Sequence, residues 1–124
     1  MFGTVEVDDF VLQKIGMHLG MIGDVVSKYK LKDYEKFTDS HIACSSIGMN
    51  ILIIGKLVKQ LEEKTRKRHN HIAWDYLTVL ANTVVNNLDA LEMEAIWKFV
   101  EKDREPLKKQ FDKIMDDKME ELWS

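Results

Sequence analysis

The stretch Ile47–Leu61, IGMNILIIGKLVKQL, decides the fold. Ile47, Ile51, Ile54, Val58 and Leu61 recur at alternating spacings of four and three, which sets them on one narrow, coiled-coil-like seam of a helix. The spacing predicts a long central helix, capped at Thr38 or Asp39 and running to about Lys64. Upstream, the polar run KLKDYEKF interrupts the pattern. Before it, from Asp8 to about Tyr29, the residues Val11, Ile15, Leu19, Ile22, Val25 or Val26, and Tyr29 form the apolar face of a first helix, with Asp8 or Asp9 as its cap. Gly16, Gly20 and Gly23 lie inside that helix, each at a cost of roughly 1 kcal/mol against alanine, which points to the close approach of another helix.

Downstream, the polar and mostly basic EEKTRKRHNH leads to a third helix from about Trp74 to Leu88, with Leu77, Ala81, Val84, Val85 and Leu88 on its apolar face. A fourth begins after Asp89 and carries Met93, Ile96, Trp97 and Val100. Proline is tolerated in the first turn of a helix but not deep inside one. Pro106 therefore places the cap of a last helix at Asp103, with Leu107, Phe111, Ile114 and Met115 facing inward and a tail that frays after Asp116. The expected fold is all-α, an antiparallel bundle of four to five helices occupying residues 1–124 as a single domain.

Composition agrees with that class. The 124 residues are 45% hydrophobic and 31% charged, with a single proline, as suits a helical globular domain. A net charge of −3 excludes a protein that grips nucleic acid over its whole surface, so any such contact is local. The lone Cys44 excludes an internal disulfide or a Cys-rich zinc site and suits a reducing cytoplasm. The opening MFGTVEVDDF has no basic region followed by an apolar run, and the expectation is a cytoplasmic chain that makes no contact with a membrane.

Few residues offer chemistry. No Glu-x-x-His pair of the kind that holds paired metals in helical bundles occurs, and His69 and His71 flank Asn70 in a polar loop, so neither metal nor cofactor is expected. Cys44, Ser45 and Ser46 follow His41 by about one helical turn, a spacing that close helix packing explains without an activated nucleophile. Lys64, Arg66, Lys67, Arg68 and His69 make the one dense positive patch. It is a candidate RNA contact, but no aromatic residues are interleaved with it as a stacking platform requires, and a solvated loop is the favoured explanation.

Ile47 to Leu61, together with IAWDYLTVLANTVVNNLDALEMEAIWKFVEKDREPLKKQ from Ile72 to Gln110, resembles the HepT-like branch of the HEPN superfamily. That family carries N-L-x-x-I-G-E-A on its central helix, then I-P-W-R, then R-N-x-x-x-H-x-Y, an acidic turn, a Trp and a closing L-P-x-L-K helix. Asn50, Ile54, Gly55, Ile72, Trp74, Asn82, Asp89, Trp97, Leu107 and Lys108 fall in register without a gap. The resemblance implies a HEPN-like bundle, a homodimer whose two motifs face a shared cleft, metal-independent cleavage of RNA as a toxin, and a nucleotidyltransferase-type antitoxin as partner.

The same register puts the motif's arginine on Ala81, its histidine on Asn86 and its tyrosine on Leu88, keeping only Asn82. Metal-free RNA cleavage needs a group that exchanges a proton near neutral pH and a cation against the charge developing on phosphorus, and neither Asn86 nor Ala81 supplies one. Leu88 has no hydroxyl to be nucleotidylated. The family's glutamate falls on Lys56 and its proline on Ala73. Ala81, Val84, Val85 and Leu88 thus make an apolar stripe, either core or a helix-to-helix interface. The expectation is a catalytically inactive relative that keeps the dimer and binds a partner. The alternatives are a divergent ribonuclease using His69 or His71 with Arg66 or Arg68, and RNA binding without cleavage.

Overall fold

The computed structural model describes residues 6–86 and 90–124. It is all-helical among them: α1 Val7–Lys28, α2 Tyr34–Asp39, α3 His41–Gln60, α4 Glu63–Arg68, α5 Trp74–Val85, α6 Ala90–Lys98, a π-helical turn Phe99–Asp103, and α7 Arg104–Trp123. Neighbouring long helices run antiparallel. A β-carbon at Gly16, Gly20 or Gly23 would meet Phe111, Lys108 or Arg104, so as α1 advances α7 retreats. Gly48 lies against Val84 and Gly55 against Ala81, which gives the same relation for α3 and α5. The three glycines of α1 do mark a close helix approach, and the partner is α7.

The core follows the apolar spacing. Ile47, Ile51, Ile54, Val58 and Leu61 are buried, as are Val11, Ile15, Leu19 and Ile22 of α1 and Leu77 and Ala81 of α5. From the last helical run Ile96, Trp97, Val100, Leu107, Phe111 and Ile114 join them. Phe37 stacks on Trp97 with ring centroids 5.4 Å apart, and Trp74 meets Phe111 edge-on at 5.7 Å. By length and composition α3 is apolar enough to cross a membrane, but its seam is taken up by α1 and α5.

Several boundaries differ from expectation, each for a local reason. The cap of α1 is Glu6, whose N–H donates to Asp9 Oδ2 at 2.8 Å. Asp8 instead turns inward and accepts from the Thr65 hydroxyl and from Glu62 N. The polar run after α1 is not merely a break, because Asp33 caps the short α2 by accepting from Lys36 N at 2.9 Å, and Phe37 anchors it in the core. The cap of α3 is then Ser40 rather than Thr38 or Asp39, its Oγ accepting from Ala43 N at 3.2 Å. α3 stops at Gln60, and Lys64 belongs to α4, whose first turn Asp8 holds. The expected basic loop is therefore partly a helix, tied down by buried Thr65.

α5 ends at Val85, which is 69% exposed and so leaves the expected apolar face, while Val84 packs partly against the core. Leu88 and Asp89 lie outside the described residues. Asp103 stands at the N-cap position of α7 as expected, but its side chain makes no capping bond and its backbone is helical, because the chain passes from α6 into α7 through the π-helical turn. Pro106 has no N–H for the carbonyl four residues back and its ring crowds that group, a constraint that a widened turn accommodates. α7 then continues past Asp116 to Trp123 instead of ending early.

Candidate functional site

Two places bear on function: the C-terminal end of α5, where the resemblance puts the catalytic motif, and the turn from α4 to α5. At the first, Ala81 is 7% exposed and its methyl carbon stands 2.3 Å from where a β-carbon on Gly55 would lie. Ala81, onto which the resemblance puts the motif's arginine, is thus a small-residue contact that brings α3 and α5 together. Asn82 and Asn86 are exposed one turn apart, and the Asn86 N–H donates to the Asn82 carbonyl at 3.3 Å, closing the helix. Two amides here can donate and accept hydrogen bonds, but neither exchanges a proton near neutral pH. Leu88, the tyrosine's position, lies outside the described residues.

Asn50 and Trp74, which also match the family motif, are structural. Asn50 is buried, donating to the Ser46 carbonyl at 2.8 Å and accepting from His18 Nδ1 at 2.8 Å, which ties α3 to α1. The Trp74 indole N–H lies 3.1 Å from the Arg66 carbonyl and 3.2 Å from that of His69, which also accepts from Ile72 N, so the indole ties α5 to the end of α4. Neither residue faces a reaction centre. The Cys44 thiol donates to the Phe37 carbonyl at 2.9 Å, and burial raises its pKa above the ordinary thiol value. A nucleophilic thiolate is disfavoured there.

The basic patch divides on folding. Lys64 pairs with Glu62 at 3.3 Å and Lys67 with Glu63 at 3.1 Å, both in solvent. Arg68, His69 and His71 instead enter a cleft against the outer face of α7, closed by Asp9 of α1 and by Lys113, Asp117 and Lys118. The two imidazoles meet edge-on with centroids 6.1 Å apart. Burial, then His71 and Arg68, push the His69 pKa below its ordinary value, against a weaker pull upward from Asp9. His69 is therefore neutral at physiological pH. Among the described residues no group of three or more His, Cys, Asp or Glu is placed to hold a metal ion.

Sequence spacing could bring Arg68, His69 and His71 together, but not Asp9, Gln110 or Lys113, which arrive through the α1–α7 and α4–α5 geometry. Also missed was Tyr76, whose hydroxyl donates to Asp103 at 2.8 Å and whose pKa is raised by burial and by that carboxylate. No motif or spacing in the sequence singles Tyr76 out.

No curated protein and no solved structure matches the chain significantly. The family model described as Ribonuclease HepT-like matches residues 19–114, from the middle of α1 to the inward face of α7. That span takes in the bundle and both places described above, and the chain belongs to the Ribonuclease HepT-like family.

Proposed function

We propose that this chain is a member of its family that does not cleave RNA through the inherited site, and that it works in the cytoplasm as a homodimer binding a nucleotidyltransferase-type partner. The observation that carries this reading is Ala81: where the motif needs a cation, a methyl group is packed against Gly55. Removing both the cation and the proton-exchanging group leaves no source for the several kcal/mol that each such group supplies to a transition state. The dimer draws support from apolar side chains left uncovered beside the α3–α5 seam. Ile42 is 66% exposed and Met49 57%, two turns apart on α3, and Val85 ends α5.

The test is incubation of the purified protein with labelled total RNA, with and without a chelator, beside the triple variant Ala81→Arg, Asn86→His and Leu88→Tyr. An inert native protein and a cleaving variant support the reading, and reproducible cleavage by the native protein overturns it. Light scattering of the native protein and of Met49→Asp separates dimer from monomer. Co-expression with a nucleotidyltransferase encoded beside it tests the partner by co-elution.

A second reading is favoured by the cleft, which brings His69, His71 and Arg68 together. In a relocated ribonuclease one imidazole removes the proton from a ribose 2′-hydroxyl as that oxygen attacks phosphorus. The other protonates the departing 5′-oxygen, leaving a 2′,3′-cyclic phosphate and a 5′-hydroxyl. Cleavage that is lost in His69→Ala selects this reading over the first.

A further inference from the structure

The cleft at His69 runs into a second hollow of similar size, the two measuring about 380 and 370 Å³ and sharing His71 and Gln110 at their junction. Both fall within the range of roughly 300–1,000 Å³ that accommodates small ligands. Their linings differ in kind. In the first, the carboxylates are engaged: Lys118 lies 3.5 Å from Asp9 and 3.9 Å from Glu121, and Lys113 lies 3.3 Å from Asp117. Arg68 has no carboxylate within ion-pair reach among the described residues. Three carboxylates and three cations line this hollow, so Arg68 is its one cation outside an ion pair rather than a surplus of charge, and two imidazoles stand beside it as further donors.

The second hollow adds an aromatic face: Ala73, Pro106 and Leu107 line it with the ring of Tyr76, which is 37% exposed, and Lys102 and Asp103 stand at its edge. That ring is held in place at both ends, by the hydroxyl's bond to Asp103 and by an edge-on contact with Phe99 at 6.1 Å. A fixed, partly open aromatic face is a stacking platform. Gln110, at the junction, offers one amide with both donors and an acceptor, as the edge of a heteroaromatic ring requires. Gln110 stands far from Arg68 in the sequence, and Tyr76 lies beyond the polar loop on α5, so the cation, the aromatic ring and the amide are brought together by the fold.

We propose that the double hollow binds a nucleoside phosphate, either free or as a unit of a nucleic-acid strand. The phosphate lies against Arg68, His69 and His71, and the base rests on Tyr76 with its edge at Gln110. Neither reading of RNA cleavage is needed for this. Asp9, Asp117 and Glu121 face the same histidines and are balanced by Lys113, Lys118 and Arg68, three charges of each sign, so a proton taken up by His69 makes the hollow positive. A phosphodiester keeps its single charge between pH 5.5 and 7.5, and its binding therefore tightens as the His69 imidazole takes up a proton.

The experiment is nitrogen-resolved NMR titration of the full chain with 5′-AMP, the dinucleotide ApA, adenosine and inorganic phosphate, ApA at both pH 5.5 and pH 7.5. The expected result is a shift map centred on residues 68–76 and Gln110, with 5′-AMP or ApA binding about tenfold more tightly than adenosine or phosphate alone. Arg68→Gln weakens the phosphate-bearing ligands about tenfold and leaves adenosine unchanged, and Gln110→Leu weakens all but inorganic phosphate. Tighter binding of 5′-AMP points to a free nucleotide, and of ApA to a strand. The proposal is overturned if neither shifts those residues in the native protein, if phosphate alone binds as well as 5′-AMP, or if ApA binding does not tighten at pH 5.5. Both substitutions are on the surface, and the native shift map does not depend on them.

Discussion

Gly55 and Ala81 are the point of closest approach between α3 and α5: a β-carbon added at 55 would stand 2.3 Å from the Ala81 methyl and 4.0 Å from the Leu77 carbonyl. The neighbouring atoms belong to a rigid methyl and a helix backbone, so nothing nearby yields without moving a helix. Gly55→Ala is expected to lower stability by roughly 1–3 kcal/mol, the usual cost of overpacking, despite its better helix propensity. Urea denaturation measures this, and an unchanged or higher midpoint would mean that the two helices part easily.

The same contact shows what was legible in the sequence. Gly55 and Ala81 each stand out by position, but that they touch depends on the register of two helices. The central seam was readable because a spacing of three and four has one structural solution on a helix. α2 and α4 were not, because six residues make less than two turns and are held by remote partners: Thr65 is fixed by Asp8, 57 positions earlier. The expectation that the family's catalytic groups are absent rests on residue identity at Ala81 and Asn86, which needs no fold to be read. The gathering of Asp9, Gln110 and Lys113 around His69 was not, since those residues come from both ends of the chain.

Asp8 is a buried carboxylate that joins α1 to α4 by accepting from the Thr65 hydroxyl and from Glu62 N at 3.1 Å. Asp8→Ala leaves two donors in a dry site without a partner, and hydrogen bonds to charged groups contribute about 1.5–3 kcal/mol. A loss of about 2–3 kcal/mol is expected for Asp8→Ala and a smaller one for Thr65→Val, which leaves the Glu62 bond in place. Equal losses in the two variants would show that the Glu62 bond contributes nothing.

Lys30 has φ of 51°, the one non-glycine residue in the left-handed region among those described. It ends α1 in a Schellman turn: Lys30 N donates to the Ser27 carbonyl at 3.3 Å, and Leu31 N to that of Val26 at 3.0 Å, while Leu31 is buried. Glycine adopts this conformation without the β-carbon clash. Lys30→Gly is expected to raise stability by roughly 0.5–1 kcal/mol, read from thermal or urea unfolding, whereas Lys30→Val lowers it. A destabilising glycine would mean that the lysine side chain makes a contribution larger than the strain.

His69 makes stability depend on pH in a direction that its surroundings fix. Burial, His71 and Arg68 hold its pKa in the folded chain below the ordinary 6.5, so the unfolded chain takes up the proton more readily. The contribution of the neutral imidazole is present above pH 6.5 and is lost as pH falls through the folded value. Because the ring is only half-buried, solvent screens much of the effect, and the loss is modest. The difference between the native protein and His69→Gln is expected to shrink between pH 7.5 and pH 5, with the glutamine variant losing less stability. Asp9 is the one neighbour that pulls the pKa up, so Asp9→Asn steepens the native decline. A native chain that gains stability over the glutamine variant on acidification would reverse the sign, and would make Asp9 the dominant neighbour of His69.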